Sequence, residues 1–366
     1  MKNNYLYYII LLLIFSCHSE KKQQEDKNAV VTKFEKVYFK QNIDSILKKN
    51  HFNGAVYIVE NQEKLYEQEN GFSNFKTQSK IDSTTVFAIG SLSKQITGVL
   101  VLLQYEQGKL KLEDKASKYL ESFNTPEYKN ITIHQLLNHT SGLNTLGGKL
   151  LFKSGTDFFY SNDGYNSLGK IIEKTSGKSY DENAKELFAK VGMNNSSTAS
   201  IYQGKNFAGA NVGNYLKPQA IENMPKRLAS QSVGTPAGGV LSTIQDLVKW
   251  NTALYEGNLL KPETLKKFTA QSAERDHPLF GKVGYGYGIM MNLGKPKHYF
   301  HTGYVKGSPS LNIYYPETKT SVIILSNIAD DAQGFETIFK THLQIKNVID
   351  NIENTVVIMK KDIMVN

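Results

Sequence analysis

Strand-like segments lie near both ends of this chain, and helical periodicity fills its middle. Any sheet must therefore draw on both ends and carry the helices as an insertion. Gly54 to Val59 (GAVYIV) and Lys64 to Glu69 read as a strand pair joined through Asn61-Gln62. Near the other end, Gly286 to Asn292, His298 to Gly303, Ser310 to Tyr315 and Thr320 to Asn327 read as strands. Between them, Ser93 to Gln107 shows an apolar face through Ile96, Val99, Leu100 and Leu103, and stops at Gly108. Ile133 to Asn138, Tyr165 to Ser176, Asp181 to Val191 and Thr243 to Glu256 read as further helices. Lys33 to Lys49 and Phe335 to Ile349 bracket the whole. Residues 351–366 have strand-like pieces without an evident partner.

The first residues belong to targeting, not to folding. Lys2 precedes an unbroken apolar run, Leu6 to Phe15, which falls short of the roughly 20 residues a membrane-spanning helix needs. Cys17 follows at once and is the chain's one cysteine, so it can form no internal disulfide. Ile14-Phe15-Ser16-Cys17 resembles the lipobox of bacterial lipoproteins, which implies lipidation at Cys17. The polar stretch after it cannot bury a core. The expected organisation is a signal peptide over 1–16, a flexible tether over 17–32, and one domain over 33–350. Its sheet part is expected at about 33–105 and 285–350, its helical part at about 106–284, and a tail at 351–366. The expected location is the cell envelope (periplasm or outer membrane), by export and a lipid anchor.

The formal charge is +9, but Arg227 and Arg275 are the only arginines. Readers of nucleic acid favour Arg for bidentate contacts, and no basic block with interleaved aromatics occurs. No nucleic-acid partner and no obligate protein partner are expected; the lysines read as solvated surface. The histidines lack zinc-enzyme spacing, and no cofactor or metal is expected.

A serine hydroxyl is a poor nucleophile without a base in reach. Ser and Lys at i and i+3 of a helix share one face. That spacing recurs at Ser45/Lys48, Ser73/Lys76 and Ser167/Lys170, so context must choose. Ser91 alone of these sits where an apolar run, Val86 to Ile89, meets Gly90 and opens a long amphipathic helix. Lys94 must lose its proton to act as base, which requires burial or a cationic neighbour. Tyr160-Ser161-Asn162 lies where a hydrophobic run breaks into a polar turn before a helix, so a phenol and an amide can be presented together. His301-Thr302-Gly303 closes a strand that can offer its backbone to a peptide-like substrate, with Gly303 leaving room.

Ser91-x-x-Lys94, Tyr160-x-Asn162 and His301-Thr302-Gly303, in that order, resemble the class C β-lactamase-like serine hydrolases. That superfamily holds β-lactamases, DD-peptidases, D-aminopeptidases and esterases. Ile131 to Leu143, Tyr160 to Tyr165 and Ala237 to Thr243 with Asp246-Leu247 extend the likeness over about Ile43 to Asn327. It implies an α+β, β-lactamase/transpeptidase-like fold: an antiparallel sheet flanked by helices, beside a mostly helical lobe, with the site between. It implies an acyl-enzyme on Ser91, proton handling by Lys94 and Tyr160, and substrate contacts from Asn162, His301, Thr302, Gly303 and Tyr304. The oxyanion hole would be the backbone N–H groups of Ser91 and Tyr304. His301 stands where β-lactamases of this class carry Lys, which argues against an efficient β-lactamase. D-amino-acid peptides are the favoured substrates. A small-ester esterase, a weak β-lactamase and a non-catalytic binding lipoprotein are the alternatives.

Overall fold

The computed structural model describes residues 28–229, 234–332 and 334–365, the last five by backbone alone. Eight strands form one sheet: β1 Gly54–Glu60, β2 Glu63–Asn70, β3 Ala273–His277, β4 Gly281–Tyr285, β5 Met290–Asn292, β6 His298–Val305, β7 Ser308–Tyr315 and β8 Thr320–Ser326. Their spatial order is β3-β4-β5-β6-β7-β8-β1-β2. Every neighbouring pair is antiparallel. Strands from the two ends of the chain are thus joined by β8 lying against β1, with Gly54 opposite Ser326. This is the sheet drawn from both chain ends that the order of segments requires. Asn61 and Gln62 turn the β1–β2 hairpin with φ of 45° and 70°, as a two-residue loop of mirror-image type demands.

The sheet has a core on each face, and β8 shows why its sequence (TSVIILS) does not alternate. Val322 and Ile324 pack with α1 (residues 28–49) and α7 (Phe335–Val365), while Ile323 and Leu325 pack into the helical lobe. A strand buried on both faces is a continuous apolar run. The helical lobe is built on α2 (Ser93–Glu106), α3 (Ile133–Leu137), α4 (Asn162–Ser176), α5 (Tyr180–Val191) and α6 (Ile244–Asn251). Ser161, Ser179 and Thr243 cap α4, α5 and α6 through their side-chain oxygens.

Four boundaries differ from the sequence reading. α1 is already helical at residue 28 rather than from 33, so the expected tether over 17–32 overlaps a helix; Val31 is buried in the core. The sheet part starts at Ala273 rather than 285, because β3 and β4 were read as part of the helical region. Gly286 to Asn292 is strand only over Met290–Asn292. Residues 351–365 form no separate tail: they continue α7, with Ile352 and Val356 buried against the α1 layer. The expected signal peptide and Cys17 lie outside the described residues.

Ile324 is fully buried, whereas Ile358 on α7 is 59% exposed. Ile324→Ala is expected to cost about 2–5 kcal/mol, by lost transfer energy and the cavity left behind. Ile358→Ala should change stability by less than about 0.5 kcal/mol. Urea denaturation of the two variants checks the assignment of inside and outside.

Candidate active site

Ser91 lies in a turn of 3-10 helix, Gly90–Leu92, that runs directly into α2. The turn is pinned from two sides. Ile89 accepts a hydrogen bond at its carbonyl from Ser310 Oγ (2.8 Å) on β7. Ser93 Oγ donates to the Gly90 carbonyl (2.6 Å) and accepts from the Val240 N–H (3.0 Å). Gly90 has φ +52°, and a Cβ there would stand 2.7 Å from the Tyr304 nitrogen. Only glycine meets both demands. Ser91 and the backbone of Tyr304 are thereby brought side by side.

Lys94 follows one turn later and is fully buried. Its Nζ lies 3.3 Å from Ser91 Oγ, 2.9 Å from Asn162 Oδ1 and 2.8 Å from the Ala237 carbonyl oxygen. Burial, and secondarily the positive charge of Arg275, hold its pKa well below the ordinary lysine value. An uncharged amine has two N–H groups and one lone pair. Asn162 Oδ1 and the Ala237 carbonyl only accept, so they take the two N–H groups. The lone pair is left for the Ser91 hydroxyl. A serine in this setting can lose its proton to nitrogen without a charged base being desolvated first.

Tyr160 stands on the other side of that pair. Its ring centre is 4.6 Å from Lys94 Nζ and 4.4 Å from the Arg275 guanidinium carbon. The ring is partly open to solvent while the hydroxyl is buried and, among the described residues, finds no hydrogen bond of ordinary geometry. Burial pushes the phenol up to about 12; the positive Arg275 and the nearby Ser91 act in the opposite sense. At neutral pH it keeps its proton and can donate it.

The third expected element sits differently from its reading. His301, Thr302 and Gly303 lie in the middle of β6, which runs on to Val305. His301 is buried, and its pKa falls well below the usual histidine value, first by burial and next by Lys94. The imidazole is therefore held in its neutral form at neutral pH. Gly303 does not leave room for substrate: a Cβ there would sit 2.0 Å from the Ile89 carbonyl oxygen. Glycine at 303 lets the Ser91 turn lie on β6. The backbone is open elsewhere, because β5 pairs with β6 only from His298 to Phe300. From His301 to Val305 only β7 borders β6 among the described strands.

Three groups around these residues escaped the motif reading. His139 lies with its ring 4.4 Å from that of Tyr160 and at φ +63°. A directed chain of hydrogen bonds passes through it. The Ser161 N–H donates to His139 Nδ1 (3.0 Å), so His139 Nε2–H donates to Tyr285 (3.1 Å). Tyr285 in turn donates to His301 Nε2 (3.2 Å), and His301 Nδ1–H donates to the Thr302 carbonyl (2.6 Å). This chain fixes both histidine tautomers and ties α4 to β4 and β6. Ala237 supplies the carbonyl to Lys94, and Arg275 the positive charge. The signal for His139 and Ala237 was present in the family-like stretches that contain them. Arg275 carried none.

The profile of the Beta-lactamase family matches residues 39–345. Penicillin-binding protein 4* of Bacillus subtilis strain 168 is 26% identical over 336 residues, covering 81% of this chain and 73% of that protein. Teichoic acid D-alanine hydrolase of Staphylococcus aureus strain MRSA252 is 26% identical over 280 residues, covering 69% and 66%. The D-amino acid amidase of Ochrobactrum anthropi SV3 superposes with a TM-score of 0.74 over 87% of this chain and 99% of that one. At 18% identity that likeness speaks for the fold alone.

The buried amine has a consequence for stability. Its folded pKa is depressed, so between that value and the unfolded value near 10.5 the unfolded chain holds one more proton. Stability from this residue therefore rises with pH across that window. Lys94→Met removes the group, and its stability relative to the parent should be most favourable at pH 6 and least at pH 10. Guanidinium denaturation of both chains at pH 6, 8 and 10 reads the difference.

Proposed function

The chain belongs to the Beta-lactamase family of serine hydrolases, and on that premise we propose that it cleaves amide or ester bonds through an acyl-enzyme on Ser91, with D-amino-acid peptides as favoured substrates. The observation that carries the reading is the fully buried Lys94 amine, whose pKa burial holds well below the ordinary lysine value and whose Nζ lies 3.3 Å from Ser91 Oγ. The hydroxyl oxygen attacks the scissile carbonyl as its proton passes to Lys94 Nζ. The tetrahedral oxyanion is received by the backbone N–H groups of Ser91 and Tyr304, whose chain segments Gly90 holds together. On collapse the leaving amine or alcohol takes the phenolic proton of Tyr160, and the proton on Lys94 restores the phenol. Water then repeats the sequence on the ester to Ser91, releasing the acid.

Substrate class follows from three features. The open side of β6 from His301 to Val305 suits an extended, peptide-like chain. Asn162 faces the cleft beside Lys94 and has its amide N–H₂ for a substrate carbonyl. His301 is neutral, so it offers no charge to the carboxylate of a β-lactam, which places β-lactam turnover behind peptide or ester cleavage. The name of one relative, a teichoic acid D-alanine hydrolase, supports D-residues on the acyl side. Export and anchoring through Cys17 would bring such a catalyst to cell-wall peptides.

A fluorophosphonate probe and a fluorescent penicillin are expected to label the chain, and Ser91→Ala should abolish both signals. Lys94→Met should slow labelling by about 10²–10⁴-fold with the fold retained. A panel of D-alanyl peptides, p-nitrophenyl esters and a chromogenic cephalosporin should show turnover in that order. An unlabelled, folded wild-type chain would favour a binding protein without catalysis.

A further inference from the structure

Among the groups that converge on Ser91, Tyr160 is the least tied. Among the described residues Lys94 has three partners and His139 two, but the Tyr160 hydroxyl has no hydrogen bond of ordinary geometry. What holds its ring is packing: His139 at 4.4 Å and the guanidinium of Arg275, also at 4.4 Å. Arg275 comes from β3, the outermost strand on that side of the sheet, where it pairs with Val283 of β4. Its side chain reaches back over the sheet, with Nη1 3.7 Å from the Met290 sulfur on β5. Glu274 and Asp276 flank it in sequence, and strand alternation turns them to the other face. Among the described residues no carboxylate pairs with this half-buried guanidinium; it rests on a thioether and the face of a phenol ring.

The other titratable groups around the pair come from every element packed there. They are His139 from the loop after α3, Tyr165 from α4, Tyr285 from β4, His301 from β6 and His277 from β3. Burial drives the three histidines toward the neutral form, and the tyrosines keep their protons. The formal charge acting on both the Lys94 amine and the Tyr160 phenol is that of Arg275.

We propose that Arg275 is a positioning residue of this site: seated on the Tyr160 ring, its guanidinium holds the phenol beside Ser91 and sets a positive field over the Lys94 amine. The cation–π contact needs a positively charged group held close to the face of the ring. The field disfavours a second positive charge on the amine. A cation that acts on lysine and tyrosine is therefore delivered from a distant edge strand, while position 301 of β6 carries a neutral imidazole. This rests on the reading of Ser91 as the acylated residue.

The test is the rate at which an uncharged fluorophosphonate acylates Ser91 in the full chain, from pH 5 to 10, for the wild type, Arg275→Met and Arg275→Lys, with melting curves in parallel. Removing the charge lets the amine take up a proton more readily. Arg275→Met should therefore displace the rising limb to higher pH, slowing acylation about tenfold or more at its acid end and within about threefold of wild type on the alkaline plateau. Arg275→Lys should keep the limb in place. The proposal is overturned if Arg275→Met slows the reaction by one factor at every pH, which is what a merely structural role would do. It is equally overturned if that variant leaves the uncharged probe unaffected and fails only with peptides that carry a free carboxylate, since the guanidinium would then be a substrate receptor. A wild-type chain that does not label at all defeats the acyl-enzyme reading itself.

Discussion

A fully buried lysine amine with two carbonyl acceptors and one hydroxyl neighbour is the constraint around which this molecule is arranged. Burial strips water from the nitrogen, and among the described residues no carboxylate lies beside it to hold a charge. The two carbonyls come from segments far apart in sequence, Asn162 at the start of α4 and Ala237 before the Val240–Ser242 strand. Their geometry decides which of the three partners is left to face a lone pair.

The sheet supplies the rigidity that this arrangement needs. β6 and β7 hold the Ser91 turn through close backbone contact at Gly303 and the Ser310 hydroxyl. The chain of hydrogen bonds from Ser161 through His139, Tyr285 and His301 ties the start of α4 to the same strands. Helical lobe and sheet are thus coupled at the cleft itself, where a functional constellation has to be held most tightly. A second polar cluster joins the two chain ends on the opposite face. Lys360 of α7 bonds Glu60 and approaches Glu35 of α1 at 3.6 Å, and burial lifts the Glu35 carboxyl to about 8.

Much of this was legible in the chain. The Val86–Gly90 run, the helix after it and the Tyr160 turn marked one serine among several lysine-spaced ones, because a strand-to-helix turn leaves a cue in residue type. The sheet drawn from both ends is found, and with it the antiparallel pairing and flanking helices that the family resemblance implied. What was not legible had physical causes. β3, Ala-Glu-Arg-Asp-His, is an edge strand with charged residues on its open face, so it lacks the apolar period that betrays a strand. The β-branched stretch Thr355-Val356-Val357-Ile358 favours strand locally, but burial of Val356 against the α1 layer outweighs that preference. Arg275 gave no signal because its meaning lies in Tyr160, more than a hundred residues away. Gly303 was read as room for a ligand when the neighbour it admits is the chain's own Ile89 carbonyl.

The ionisation state of Lys94 can be read directly. In the chain labelled with ¹³Cε and ¹⁵Nζ lysine, and assigned by loss of the signal in Lys94→Met, one amine at pH 7 should show the shifts of neutral –NH₂ while the other lysines show ammonium. If the Lys94 signal instead titrates with the surface lysines, near its ordinary value, the nitrogen is not the proton acceptor described here.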